Sequence, residues 1–173
     1  MIPALLAATL LCVAPASPRQ AENDAAKARV KSAMEATGFK YEASASGLSL
    51  TVLFDNPDKR QQKIFIATAP GKASGLLTHL VYTTVWVNAT APPDDALLRK
   101  VLLQSKKLGH FYLFKDTKGT WAIRFGAHFD ATGLKDTSEK GDTFSTSLKD
   151  LISFVNAVGE ETDQMLNGDK DIR

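Results

Sequence analysis

The sequence predicts an α+β domain in which an antiparallel β-sheet is flanked by helices, in the order α-β-β-β(-β)-α-β-β-α. Three observations lead to this prediction. Alternating apolar residues mark five or six strands, short clusters of turn-forming residues join several of them, and three segments have apolar residues at helical spacing. The chain has 173 residues, of which 44% are apolar and 23% charged, and this composition is typical of a single folded domain.

The first part of the chain predicts a helix, a β-hairpin and a further strand. Asp24 is a favourable N-cap, and alanines and apolar residues follow it at mixed helical spacing as far as Gly38, which ends the helix. The turn Ser44-Ala45-Ser46-Gly47 then separates two alternating segments, as in a hairpin. The predicted bounds are 24–37 for the helix and 39–43, 48–54 and 62–68 for the strands.

A long strand and an amphipathic helix are predicted in the middle of the chain. The turn-forming segment 70–74 precedes Leu76–Asn88, which is rich in β-branched and aromatic residues. The sequence Pro92-Pro93-Asp94-Asp95 suits a helix start, because proline lacks the N–H that the first turn leaves unpaired and acidic residues complement the helix dipole. The helix extends to about Ser105, with an apolar stripe of Leu97, Leu98, Val101 and Leu102.

The last part of the chain predicts a second hairpin and a closing helix. A favourable hairpin turn at 116–119 joins strands over 110–115 and 120–125, and the segment 126–142 has no regular pattern. The closing helix has about 20 residues, and Ser147 with Asp150 is its candidate cap. Its apolar stripe consists of Leu148, Leu151, Ile152, Val155 and Val158.

The first 16 residues are typical of a secretory signal peptide. They form an uncharged apolar run that ends in Ala14-Pro15-Ala16, which predicts cleavage after Ala16. The run is shorter than the roughly 20 residues of a membrane-spanning helix, so no membrane span is expected in the mature chain. We therefore expect an exported protein, periplasmic or secreted. Its predicted parts are a signal peptide at 1–16, a polar spacer at 17–23, one domain at 24–166 and a charged tail at 167–173.

The residues of the chain form no recognisable catalytic motif. The only cysteine, Cys12, lies in the leader, and the net charge of +2 gives no basic surface of the kind that nucleic acids require. The glycines form no phosphate-binding motif, and the histidines have no metal-ligand spacing. A loop with His128 and Asp130, near Ser145 or Ser147, leaves a hydrolytic enzyme as an alternative. We predict a non-enzymatic protein that has no catalytic or metal site, cofactor or nucleic-acid partner.

Strand 76–88 carries the candidate partner-binding surface. Alternation places Leu80, Tyr82 and Trp86 on one of its faces. Because the opposite face is also apolar, a second part of the chain, a second copy of the protein or a ligand is expected to cover these three residues. The opposite face consists of Val81, Val85 and Val87.

Aromatic residues are concentrated on the predicted hairpin 110–125. Such a cluster can form a stacking platform for bases or sugars. Aromatic residues at alternating strand positions beneath helices usually pack in a core, and we interpret this cluster in that way. Its members are Phe111, Tyr112, Phe114, Trp121 and Phe125.

Five segments occur in an order that carries a family resemblance. They are Gly38-Phe39-Lys40-Tyr41-Glu42, Leu48-Ser49-Leu50-Thr51-Val52, Arg60-Gln61-Gln62-Lys63-Ile64-Phe65-Ile66, the helix Asp95–Ser105 followed by Lys107-Leu108-Gly109-His110-Phe111, and the closing helix. In this order they resemble the YbjN family, which is described as bacterial sensory-transduction regulators and is similar in fold to type III secretion chaperones. The likeness covers residues 24–166 and brings no site residues with it.

The resemblance implies a chaperone-like or regulatory module that binds an unknown protein or peptide and forms a homodimer. The predicted leader departs from the family, whose members act in the cytoplasm. An envelope protein that senses a small ligand is the alternative function, and a hydrolytic enzyme that uses His128 and Asp130 is a further one.

Overall fold

The computed structural model describes residues 17–55, 61–73, 76–104, 108–130 and 143–167. Within these ranges the chain forms three helices and seven strands, which confirms the predicted α+β class with an antiparallel sheet and flanking helices. The elements are α1 (Pro18–Thr37), β1 (Tyr41–Ala43), β2 (Ser49–Asp55), β3 (Gln61–Ala67), β4 (Gly71–Ala73), β5 (Leu76–Asn88), α2 (Asp95–Leu102), β6 (His110–Lys115), β7 (Trp121–Asp130) and α3 (Thr143–Asn167).

The strands form one antiparallel sheet in the order β1-β2-β3-β5-β7-β6, and the short strand β4 pairs with β5. Strand β5 is the longest and lies between β3 and β7, so it connects the two halves of the sheet. Within the described ranges, β1 and β6 form the two edges. Both hairpins that the sequence predicts, β1–β2 and β6–β7, are present.

All three helices lie on one face of the sheet. Buried residues of α1 and α3 share a core cluster with β2, β3, β5 and β7, and Val101 of α2 packs in a second cluster with Val85 and Ile123. The first cluster consists of Val30, Ala33, Met34, Leu50, Val52, Ile64, Ile66, Val81, Phe125, Ala127, Leu148, Ile152, Val155 and Val158. The described part of the chain therefore has two layers, with its helices on one side of the sheet.

Helix α3 approaches the sheet closely at Gly159. A Cβ atom at this position would lie 2.5 Å from Cγ2 of Thr83 and 2.8 Å from Nε2 of Gln62. These two side chains are buried and hydrogen-bonded to each other, and the Thr83 hydroxyl also donates to the carbonyl of Lys63 at 2.9 Å. The missing side chain thus allows α3 to rest on a polar pair of β3 and β5.

Helix α1 begins earlier than the sequence predicts. The expected spacer 17–23 is wrong, because Ser17 is the N-cap, its side chain accepts from the backbone N–H of Gln20 at 3.3 Å, and Pro18 occupies the first turn. The first buried residue of this helix is Val30. Local capping and helix-forming residues, rather than core packing, therefore extend the helix towards its N-terminus.

Several other predicted boundaries also differ. Helix α2 ends at Leu102 and does not reach Ser105 as predicted. The turn-forming segment 70–74 contains strand β4, whose three residues pair with the start of β5. Strand β7 continues through Gly126 to Asp130, since β5 is long enough to pair with all of it. The cap at Ser147 and Asp150 is wrong, because α3 already begins at Thr143.

Three predicted segments lie outside the described residues. These are the signal peptide at 1–16, residues 131–142 of the irregular segment, and 168–173 of the charged tail. Among the residues that the structure describes, no helix is both long and apolar enough to span a membrane.

Candidate functional site

A β-bulge on β5 separates the three residues of the candidate surface. The register between β5 and β7 shifts between Thr84 and Trp86, and Trp86 pairs with Ile123 of the helix-covered face. Leu80 and Tyr82 lie on the opposite face, while Trp86 packs against the α2 cluster. The expectation that the three share a face is therefore wrong. Val87 likewise leaves the valine face and is 43% exposed.

The face opposite the helices carries a row of aromatic and basic residues, which we call the open face. The strand registers place Phe65, Tyr82, Gly126 and His110 in one row across β3, β5, β7 and β6. An adjacent row contains Lys63, Thr84, Arg124 and Tyr112, and Phe114 lies two residues further along β6. Neither core cluster contains the aromatic residues of this face, so no helix of the described ranges packs on them.

The aromatic rings on the open face are in contact with one another and with Arg124. Phe65 and Tyr82 stack with centroids 5.1 Å apart and planes 18° from parallel. The guanidinium carbon of Arg124 lies 3.7 Å from the centroid of Phe114 and 4.8 Å from that of Tyr82. The arginine is therefore held between two rings in cation–π contact, which fixes its position.

Gly126 brings three of these side chains together. A Cβ atom there would lie 3.0 Å from Cδ1 of Leu80 and 3.2 Å from both Cε1 of Tyr112 and Cβ of Tyr82. The neighbours lean over the glycine and form a continuous apolar surface. A larger residue at this position would separate them.

Two polar atoms of this face are buried, the Nε atom of Arg124 and the Oη atom of Tyr112. The Nε atom has no hydrogen-bond partner within the described chain, whereas the Tyr112 hydroxyl lies within hydrogen-bond reach of the Arg124 side chain. Burial raises the pKa of the Tyr112 phenol, an effect that the charge of Arg124 and a hydrogen bond with it oppose and that Tyr82 reinforces. The phenol is thus neutral near pH 7.

Of the candidate hydrolytic residues, His128 lies at one end of the open face. His128 is exposed, and its Nδ1 atom is hydrogen-bonded to the Thr78 hydroxyl at 3.3 Å. Its ring stacks on that of His110, with ring centroids 5.8 Å apart. Burial first, and the neighbouring His110 second, lower the pKa of His128. Asp130 is the last residue of β7, whereas Ser145 and Ser147 belong to α3, on the helical side of the sheet. The side chains of Asp130 and both serines lie outside the described set.

The aromatic cluster of the second hairpin also divides between the two faces. Phe111 and Phe125 pack in or against the core, as expected, and their rings are 4.9 Å apart. Tyr112 and Phe114 point to the open face, so their assignment to the core is wrong. Strict alternation along β6 would have indicated this division, but alternation alone does not show which side the helices cover.

The described residues contain no group of three or more metal-ligating side chains. Fold and site together define an α+β domain in which no helix of the described ranges covers the aromatic sheet face that holds Arg124. No protein-family model matches the chain, and no curated protein matches it.

Proposed function

We propose that this chain is an exported, non-enzymatic binding domain of YbjN-like, type III secretion chaperone-like character, periplasmic or secreted, that holds an unfolded or extended segment of another protein on its open face. The observation that supports this most is the mainly aromatic surface of Phe65, Tyr82, Leu80 and Phe114, with Arg124 between two of its rings. Packed apolar surface of this kind is stabilised by contact with another apolar group, because contact removes it from water.

The width of the open face suits an extended segment. Four neighbouring strands, β3, β5, β7 and β6, contribute to it, and strands are about 4.8 Å apart, so the rings extend over about 14 Å. This distance corresponds to four or five residues of extended chain. A peptide laid across the strands thus contacts several rings at once.

Site-specific photo-cross-linking tests the proposal. A photoreactive phenylalanine analogue replaces Tyr82 in one variant and Leu103 in a control variant, in envelope extract. Leu103 is 87% exposed at the end of α2, on the helical side, so it reports non-specific encounters. We expect a discrete protein partner to be cross-linked from position 82 and not from 103.

Two other results would contradict the proposal. Equal labelling from both positions would mean that contact is non-specific. A folded protein that cross-links to nothing from position 82 would favour the alternative function, an envelope sensor of a small ligand.

A second copy of the chain is the other proposed partner, and the edge strand β6 is where it fits. The N–H of Asp116 donates to the carbonyl of Thr120 at 2.9 Å, so Asp116 faces β7. By alternation along β6, the backbone groups of Phe111, Leu113 and Lys115 point outwards. A two-fold axis at Leu113 would pair β6 with its copy through six hydrogen bonds by this pattern, about as many as a short ladder provides.

Sedimentation velocity over a range of concentrations tests this homodimer. The wild-type protein is expected to dimerise, and Leu113→Pro is expected to be monomeric, because proline removes an outward-pointing N–H without affecting the bonds to β7. The control variant is Leu103→Ser, because a proline at position 103 would disturb α2. A wild-type monomer at high micromolar concentration would refute the pairing.

A further inference from the structure

Arg124 is a charged group on the open face, and no described residue serves as its counter-ion. Among the described residues it makes no ion pair, and its Nε is buried without a hydrogen-bond partner. Tyr112 lies directly opposite Arg124 in the register of β6 and β7, and its buried hydroxyl lies within hydrogen-bond reach of the Arg124 side chain. Covering the guanidinium charge with apolar groups alone is costly, so an occupant that pairs with it gains more than an apolar occupant does.

The chemistry of Arg124 selects a carboxylate. Its side chain is partly exposed, and the guanidinium offers planar N–H donors that match the two oxygens of a carboxylate. Lys63 lies in the same row of the face and adds positive charge. The charge pattern therefore complements an acidic group and repels a basic one.

The position of Arg124 decides what kind of carboxylate fits. Apolar rings lie on both sides of it, Tyr82 and Phe65 towards β3 and Phe114 towards the β6 edge. A segment that ended at Arg124 would leave one of these ring surfaces empty. An acidic side chain within the segment, with apolar residues before and after it, would fill both.

We propose that Arg124, held in place by the rings of Tyr82 and Phe114 and by Tyr112, forms a recognition site for an internal Asp or Glu side chain of an apolar protein segment bound on the open face. This inference rests on the proposed function and names the chemistry of its partner. Phe65, Tyr82 and Phe114 bind the flanking apolar residues, and the carboxylate sets the register of the segment.

Fluorescence anisotropy with matched peptides tests the site on the full protein. The probe is a capped nine-residue peptide with a central Glu, flanked by Leu and Phe and with Ser at its outer positions. One comparison peptide has Gln at the centre, and another ends at that position with a free carboxylate. We expect the Glu peptide to bind about tenfold more tightly than either comparison peptide. This is the change in dissociation constant that one charge-assisted hydrogen bond produces.

Two variants and one control locate the effect. Arg124→Met keeps an apolar stem between the rings, and it is expected to abolish the preference for Glu while the Gln peptide binds as before. Tyr112→Phe removes only the hydroxyl that helps to position the guanidinium, so a few-fold reduction of the preference for Glu is expected even if Arg124→Met folds poorly. Lys63→Met removes one positive charge from the same face and should leave most of the preference in place.

The outcomes separate this inference from the proposed function. Equal binding of the Glu and Gln peptides, or an unchanged preference in Arg124→Met, overturns the carboxylate site and leaves the binding face standing. An equal loss in Lys63→Met assigns the preference to the general charge of the face and also overturns the site. Tighter binding of the truncated peptide would mean that the site binds a C-terminal carboxylate and not an internal side chain, and this too would overturn the proposal. Failure of all three peptides to bind refutes both proposals.

Discussion

Replacing Gly159 with alanine should destabilise the protein, although alanine is the better helix former. The change adds one methyl group at the place where α3 rests on Gln62 and Thr83. In a free helix this substitution would be favourable by about 1 kcal/mol. In the folded domain the new Cβ would lie 2.5 Å from Thr83 Cγ2 and 2.8 Å from Gln62 Nε2, so the helix or the buried pair must move.

The two effects give an expected net loss. Adding a methyl group to a well-packed site costs about 1–3 kcal/mol, and the upper half of that range applies because two contacts would be shorter than real Cβ atoms show. Subtracting the gain in helix propensity of about 1 kcal/mol leaves a net loss of about 1–2 kcal/mol in the free energy of unfolding.

A double-mutant cycle measured by urea unfolding tests the reasoning. Thr83→Ser removes the methyl group that the new Cβ would meet and keeps the hydroxyl that donates to Lys63. Gly159→Ala should therefore be less destabilising by about 1 kcal/mol in the Thr83→Ser background than alone. Ser153→Ala on the exposed side of the same helix is the control, and its effect should stay within about 0.5 kcal/mol.

One result would refute this argument directly. If Gly159→Ala stabilises the protein by about the propensity difference, α3 does not rest on the Gln62–Thr83 pair at the described distance. If the effects of Gly159→Ala and Thr83→Ser simply add, the loss of stability in Gly159→Ala arises elsewhere in the helix.

Three further predictions concern local groups. Ser17→Ala should increase hydrogen exchange in the first turns of α1 by about fivefold, from a cap worth about 1 kcal/mol, and leave global unfolding unchanged, since these turns are exposed. NMR titration should find the pKa of His128 below its ordinary value, and closer to that value in His110→Asn. Because the folded state resists protonation of His128, stability should fall as the pH drops from the ordinary histidine pKa towards the lowered one. A pKa of His128 that is not shifted would contradict the stacked pair. The backbone N–H group of Thr120, and after it that of Lys118, lowers the pKa of Asp116. The contribution of Asp116 to stability is therefore present above the ordinary aspartate pKa and should be lost as the pH falls through the lowered value. Urea unfolding at several pH values should show no such loss in Asp116→Ala.

Much of the fold follows from local sequence. Strand β5 has the predicted bounds, because a run of β-branched and aromatic residues between turn-forming segments has few other structures available. Helix α2 begins where its two prolines and two aspartates indicate, with Asp94 as N-cap accepting from the N–H of Leu97 at 2.7 Å. These features depend on residues within a few positions of each other.

The features that define the site depend on long-range pairing. The bulge beside Trp86 arises from the register between β5 and β7, whose residues are about forty positions apart in the chain. Alternation along β5 alone places Trp86 on the wrong face. Arg124 gains its position from rings on β5 and β6 together, and no local pattern indicates that all three helices cover the other side.

The late position of α3 in the chain has a consequence for the order of folding. This last described element supplies Leu148, Ile152, Val155 and Val158 to the main core and packs against α1, the first one. Until it has been synthesised and docked, the apolar face of the sheet lacks its main cover, so earlier portions of the chain cannot complete a cooperative core. A nascent or truncated chain that lacks α3 should therefore stay open and bind chaperones.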